Sequence, residues 1–169
     1  MKLTSPLWYL TAFFIALGGA VLAIVVAAGA WDPVREATVT PIGEPVDGTD
    51  KSIAVYTDIV QPDRKVTCHA KGPGKKVVTI PAAKLSLTVT NGTDEWHLIG
   101  LLTEGDKDQL ITCTPRDRRV DDATYTYAAV SGFASKGNAG KGIAILSTTI
   151  GVVLAGFTFY TRRKQRNSP

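Results

Sequence analysis

Two uncharged apolar stretches, one near each end of the chain, restrict what this sequence can fold into more than any other feature. The first runs from Leu7 to Ala30, 24 residues without a single charge, and the second from Ile143 to Tyr160, 18 residues. A helix of 24 residues reaches about 36 Å, which crosses a hydrocarbon core of roughly 30 Å with some tilt. The second stretch, extended by Gly142 and Thr161, sits near the lower limit for a span. Trp8 and Tyr9 stand at one edge of the first stretch and Trp31 at the other, where amphipathic rings favour the headgroup level. Both segments are therefore read as transmembrane helices. About 110 residues remain between them, enough for one modest domain and too few for two.

The charge distribution orients the spans. Taken whole, the chain carries a net charge of +4. Residues 31–142 are close to neutral, and all fifteen acidic residues lie between Asp32 and Asp122. The basic excess sits in the tails, as Lys2 at one end and Arg162, Arg163, Lys164 and Arg166 at the other. Basic tails flanking apolar spans mark cytoplasmic ends. The expectation is a plasma (inner) membrane protein with residues 1–6 and 161–169 cytoplasmic and residues 31–142 outside. The same placement brings the C-terminal tail to anionic lipid headgroups. It removes nucleic acid as a primary partner.

Two fates are open to the first helix. Ala28-Gly29-Ala30 has the small-x-small form of a processing site before Trp31, as in a secretory signal peptide. The apolar run is much longer than a signal's usual core, and Lys2 gives only a thin basic leader, which favours a retained helix. Either fate sends residue 31 onward to the outside.

Small residues recur every four positions, at Gly19, Ala23 and Ala27 in the first span and at Ser147, Gly151 and Ala155 in the second. Such stripes permit close helix packing within the protein or against another subunit. Neither span holds an Asp, Glu, Lys, Arg or His, which argues against a proton relay or ion pathway.

Between the spans the pattern is strand-like. Residues 31–50 carry three prolines and are read as a juxtamembrane linker with a short strand at Ala37–Thr40; 135–142 (SKGNAGKG) is read as a matching flexible linker. Alternating apolar residues predict strands at Ser52–Ile59, Lys65–His69, Val77–Ile80, Lys84–Thr90, Glu95–Leu102, Gln109–Thr114 and Thr124–Val130, with a hairpin turn at Asn91-Gly92. Residues 51–134 are thus expected to form an all-β antiparallel sandwich or barrel-like domain. Cys68 and Cys113, the only cysteines, fall in predicted strands on the oxidising side, which points to a disulfide.

No motif carries recognisable chemistry. His69 and His97 are the only histidines and the only candidates for a metal site or a catalytic base. Their 28-residue separation fits no compact ligand pattern, and His69 must face away from Cys68 on one strand. No nucleophile elbow or phosphate loop occurs; the basic turn Lys71–Lys76 lacks the required spacing. The Pro62-Asp63 pair near Asp58 is read as a turn, and Asn91-Gly92-Thr93 fits a glycosylation acceptor. The charged segment 115–122, with Arg116, Arg118 and Arg119, is either a solvated loop or a recognition edge for a partner or an anionic envelope component.

These features lead to the expectation of a non-enzymatic accessory or scaffold subunit of a bacterial cell-envelope membrane assembly, with no cofactor and with other membrane proteins or envelope components as partners. The alternative is a membrane-tethered module for a soluble ligand or metal; an envelope enzyme has the least support.

Overall fold

A computed structural model describes residue 5 and residues 7–60, 66–74, 77–116 and 121–166, with backbone alone at Arg166. The chain divides into two units, Met1–Gly29 together with Ser135–Pro169, and Ala30–Ala134.

The first unit is a pair of helices, α1 (Leu7–Ala28) and the greater part of α3 (Phe133–Arg166). Both are long and apolar enough to cross a membrane. Large side chains such as Phe13, Phe14, Ile24, Ile145, Val152 and Phe159 stand exposed on them. Water would tolerate such an apolar surface poorly, whereas lipid covers it at no cost. At the end of α1, Gly29 N–H bonds to Val25 O at 3.0 Å, while Lys136 Nζ donates to Gly29 O at 3.2 Å. A cation thus meets the carbonyl end of the helix, where its dipole is negative.

The second unit contains α2 (Asp32–Arg35) and eight strands: β1 (Thr40–Pro41), β2 (Lys51–Thr57), β3 (Val66–Lys71), β4 (Val77–Thr79), β5 (Thr88–Asn91), β6 (Asp94–Leu102), β7 (Leu110–Pro115) and β8 (Tyr125–Ser131). They form an open five-stranded sheet in the order β1-β8-β2-β6-β5 and a three-stranded sheet in the order β4-β3-β7. All strand pairings within the sheets are antiparallel.

The central strand β2 explains the two cores. Every residue from Ser52 to Thr57 is buried, so both faces of the larger sheet are covered. Ile53 and Val55 join Cys68, Ala70, Ile80, Leu102 and Ile111 in one cluster, which includes residues of both sheets. Ala54 and Tyr56 turn the other way, to Val34, Leu87, Val89, Leu98, Ala128 and Val130, with Trp31 and Phe133 packed alongside. Tyr56 Oη donates to Val34 O at 2.9 Å, satisfying a buried phenol and a helix-end carbonyl together. Burial pushes the Tyr56 hydroxyl well above its ordinary value. Trp31 and Phe133, each one residue inside an end of the domain, meet edge to face with centroids 4.9 Å apart, which fixes its two chain ends together.

Cys68 and Cys113 are disulfide-bonded, with Cα atoms 4.0 Å apart. They are direct cross-strand partners on β3 and β7, so the bond staples neighbours within the smaller sheet. A two-residue turn, Gly92-Thr93 with Gly92 at φ +69°, joins β5 to β6 through the Asn91–Asp94 pair; the hairpin forms where expected, but its turn lies one residue beyond Asn91-Gly92.

Three expectations need correction. Residues 135–142 are helical, part of α3, where a flexible linker was expected. Three glycines make this stretch a poor helix by propensity. Gly140, however, lies buried against α1: a methyl there would come within 3.0 Å of Ala23 O and 3.3 Å of Ala27 Cβ. Packing that only glycine permits overrides propensity. The 31–50 segment contributes the single-turn α2, and its strand falls at Thr40–Pro41, beyond the expected Ala37–Thr40 for the most part. Lys84–Thr90 is a strand only from Thr88. β4 belongs to the smaller sheet and β5 to the larger, so the intervening chain must change sheets. It does so along β6 by separate bonds, Ala83 N–H to Ile99 O at 2.9 Å and Leu98 N–H to Leu87 O at 2.9 Å.

Candidate functional site

A concavity of the β domain lies at one end of the larger sheet. β2 ends there, β8 begins, and the β5–β6 hairpin turns. It is lined by Asp58, Thr93, Asp94, Glu95, Trp96, His97 and Thr124, with a volume of about 530 Å³. The register explains the convergence. Thr57 pairs with Tyr125 on one side and His97 on the other, which sets Asp58 beside Thr124 and the start of β6. Asp58 is held in place, its Oδ1 accepting Thr124 N–H at 2.8 Å. His97 Nδ1 and Thr88 Oγ1 hydrogen-bond at 3.1 Å, which fixes the imidazole against β5. Trp96 is half-buried against the core.

Asp58, Asp94 and Glu95 give this pocket negative charge, which attracts cations. It lies at the opposite end of β8 from Phe133; seven strand residues separate the two by about 20 Å. The pocket is thus presented at the far end of the domain from the Trp31–Phe133 contact through which the chain enters and leaves it.

His69 is elsewhere. It sits on β3 in the smaller sheet, its Nδ1 3.3 Å from Thr79 Oγ1. His69 and His97 therefore belong to different sheets, each engaged with a threonine of the adjoining strand. Among the described residues, no group of three or more His, Cys, Asp or Glu side chains is placed to hold a metal ion. Arg116 is tied down, its Nε donating to Thr67 Oγ1 at 2.7 Å. Arg118 and Arg119 lie outside the described residues, as do Lys2, the Pro62-Asp63 turn and Lys75-Lys76.

In the helical unit the small residues meet face to face. Gly19 lies so close to Ser147 that any side chain there would run into the serine Cβ and Oγ. A methyl on Gly151 would come within 3.0 Å of Ala12 O and 3.1 Å of Ala16 Cβ. With Gly140 beside Ala23 and Ala27, the partners descend along α1 as they rise along α3, so the helices pack antiparallel. Ala155 is half-buried. Gly140 and Ala12, outside the four-residue stripes, also take part in this contact. Gly140 was hidden by its polar neighbours, Ser135, Lys136, Asn138 and Lys141. Arg162 stands over the Tyr9 ring, 5.9 Å from its centroid.

Five of the seven lining residues, Thr93 to His97, are consecutive, and only Asp58 and Thr124 join them from distant parts of the chain. Nothing in the run 93–97 distinguishes it from a solvated hairpin, so the pocket itself escaped the sequence.

Fold and geometry together define a membrane protein with two transmembrane helices flanking a small, disulfide-bonded all-β domain suited to contact. No family model matches the chain, and no curated protein or solved structure is similar to it.

Proposed function

We propose that this protein is a non-enzymatic accessory or scaffold subunit of a bacterial cell-envelope membrane assembly, whose β domain contacts a partner outside the cytoplasm. The observation that carries this reading is the acidic, Trp96-bearing pocket at the end of the domain opposite its two chain ends. A tethered domain built to meet a partner should offer its charged concavity there.

The disulfide supports the extracytoplasmic side, since such bonds persist in oxidising compartments. The basic residues Arg162, Arg163 and Lys164 support a cytoplasmic tail by the positive-inside rule. The partner's complementary feature is a Lys or Arg side chain, which the carboxylates attract. A soluble cationic ligand is the second reading, since the same pocket would hold one.

The test is affinity purification of the tagged full chain in mild detergent, with mass spectrometry of co-purifying species. A stoichiometric membrane-protein partner is expected. Asp94→Asn with Glu95→Gln should lower its recovery by about tenfold or more, as expected when a desolvated charge pair is lost. Recovery of the bait alone, or only as a homo-oligomer, would overturn the accessory-subunit reading.

A further inference from the structure

We infer that the ends of the two spans form a binding site for the phosphate headgroup of an anionic phospholipid, built from Tyr9, Phe159, Arg162 and Arg163. This inference rests on the helices crossing a bilayer and is independent of what the β domain contacts.

The four residues line a pocket of about 300 Å³. Phe159, Arg162 and Arg163 stand at i, i+3 and i+4 of α3, so they share one face of the helix. Tyr9 comes from the first turn of α1. Its ring lies under the Arg162 guanidinium, which orients that cation and leaves its N–H edges for an acceptor.

The charge in this region is unopposed by any acidic side chain of the helical unit. All fifteen Asp and Glu residues of the chain lie between Asp32 and Asp122, and every one belongs to the β domain. Two adjacent guanidiniums on one pocket repel each other, and an anion between them converts that repulsion into charge-assisted hydrogen bonds. The walls select the kind of anion. A soluble phosphate needs polar donors all round, whereas here Phe159 and the Tyr9 ring supply apolar wall beside the two cations. That pairing of apolar and cationic surface fits a phosphodiester with the first carbons of its acyl chains. Interfacial aromatic and arginine side chains occupy the corresponding depth in a bilayer.

Diffuse attraction of basic residues to an anionic surface makes a different forecast, because it is blind to position. It is worth about fivefold in affinity per Lys or Arg. Three consecutive residues, Arg162, Arg163 and Lys164, therefore provide an internal comparison, since Lys164 is not part of the pocket lining.

The experiment is native mass spectrometry of the full chain released from nanodiscs of phosphatidylcholine doped with phosphatidylglycerol, scoring retained phosphatidylglycerol. Arg162→Gln and Arg163→Gln should each reduce retention by about thirtyfold or more, combining lost attraction with lost direct hydrogen bonds. Lys164→Gln should reduce it by about fivefold or less. Tyr9→Leu, which keeps every charge, should reduce it by about threefold through the lost ring contact. Monodisperse elution and unchanged helical circular dichroism confirm that each variant is folded. Equal losses at all three basic positions, or no preference for phosphatidylglycerol over phosphatidylcholine, would overturn the site. Displacement of the bound lipid by millimolar inorganic phosphate would overturn its assignment to a lipid.

Discussion

The two units of this protein are held together by opposite means. In the helical unit the contact is made by the smallest side chains, Gly19 on Ser147, Gly151 on Ala12 and Ala16, Gly140 on Ala23 and Ala27, while the large apolar residues face outward. In the β domain the large residues are inside: Tyr56, Ile53 and Ile111 are among the most buried side chains, and a disulfide joins the smaller sheet. The difference follows from the solvent each unit answers to. Water drives bulky apolar groups inward. Lipid gives no such drive, so the helices gain only by approaching closely enough for dispersion and backbone contact. One chain thus carries two packing codes, and changes that are mild in one unit should be severe in the other.

The largest expected effect is on the β domain alone. Replacing Cys68 and Cys113 with alanine opens a loop with a sequence separation of 45, which chain-entropy arithmetic values at about 4 kcal/mol. Denaturant unfolding followed by tryptophan fluorescence should show that loss, with the helical circular dichroism of the spans retained. Joint loss of both units would break the comparison.

The next effect belongs to the helices. Gly151→Leu puts a bulky group where even a methyl approaches Ala12 O to 3.0 Å, costing about 2 kcal/mol by overpacking. Crosslinks engineered between α1 and α3 should fall in yield, while the midpoint of β-domain unfolding stays put. The same Gly-to-Leu exchange at Gly156, where a methyl meets nothing within 4 Å, should be silent.

The smallest effect sharpens the account of the core. Tyr56→Phe removes the bond to Val34 O and should cost about 1 kcal/mol. It also changes the response to pH. The Tyr56 hydroxyl is raised above its ordinary value of 10.0, so the folded state favours the neutral phenol. That stability is fully present below pH 10 and is lost progressively as pH rises from there toward the folded value. The wild-type domain should weaken above pH 10, and Tyr56→Phe should remove that part of the alkaline sensitivity.

How much of this was legible differs between the units for the same reason. Span positions follow from uncharged length alone, so Leu7–Ala28 emerges directly. The strands emerge from alternation, except where burial is two-sided. Ile53 and Val55 announce one face of β2, but Ala54 and Tyr56 are equally buried because Val34 and its neighbours cover the second face. That covering comes from a prolyl segment that reads as linker. Lys84–Leu87 alternates like a strand yet is bent away to change sheets. The helical start of α3 was masked because SKGNAGKG scores as flexible, and only contact with α1 reveals what Gly140 is for. The acidic pocket was legible only as the run Thr93–His97, because Asp58 and Thr124 join it through strand register, which no local pattern encodes.

The topology we propose has two spans holding the β domain on the outer side of the membrane with the basic tail inside. Single cysteines placed at Thr93→Cys, in the β5–β6 turn, and Ser168→Cys, in the tail, test it directly with a membrane-impermeant maleimide, since the native pair is already bonded. In intact cells residue 93 should be labelled at once and residue 168 only after permeabilisation. Labelling of 168 from outside, or protection of 93, would contradict the account.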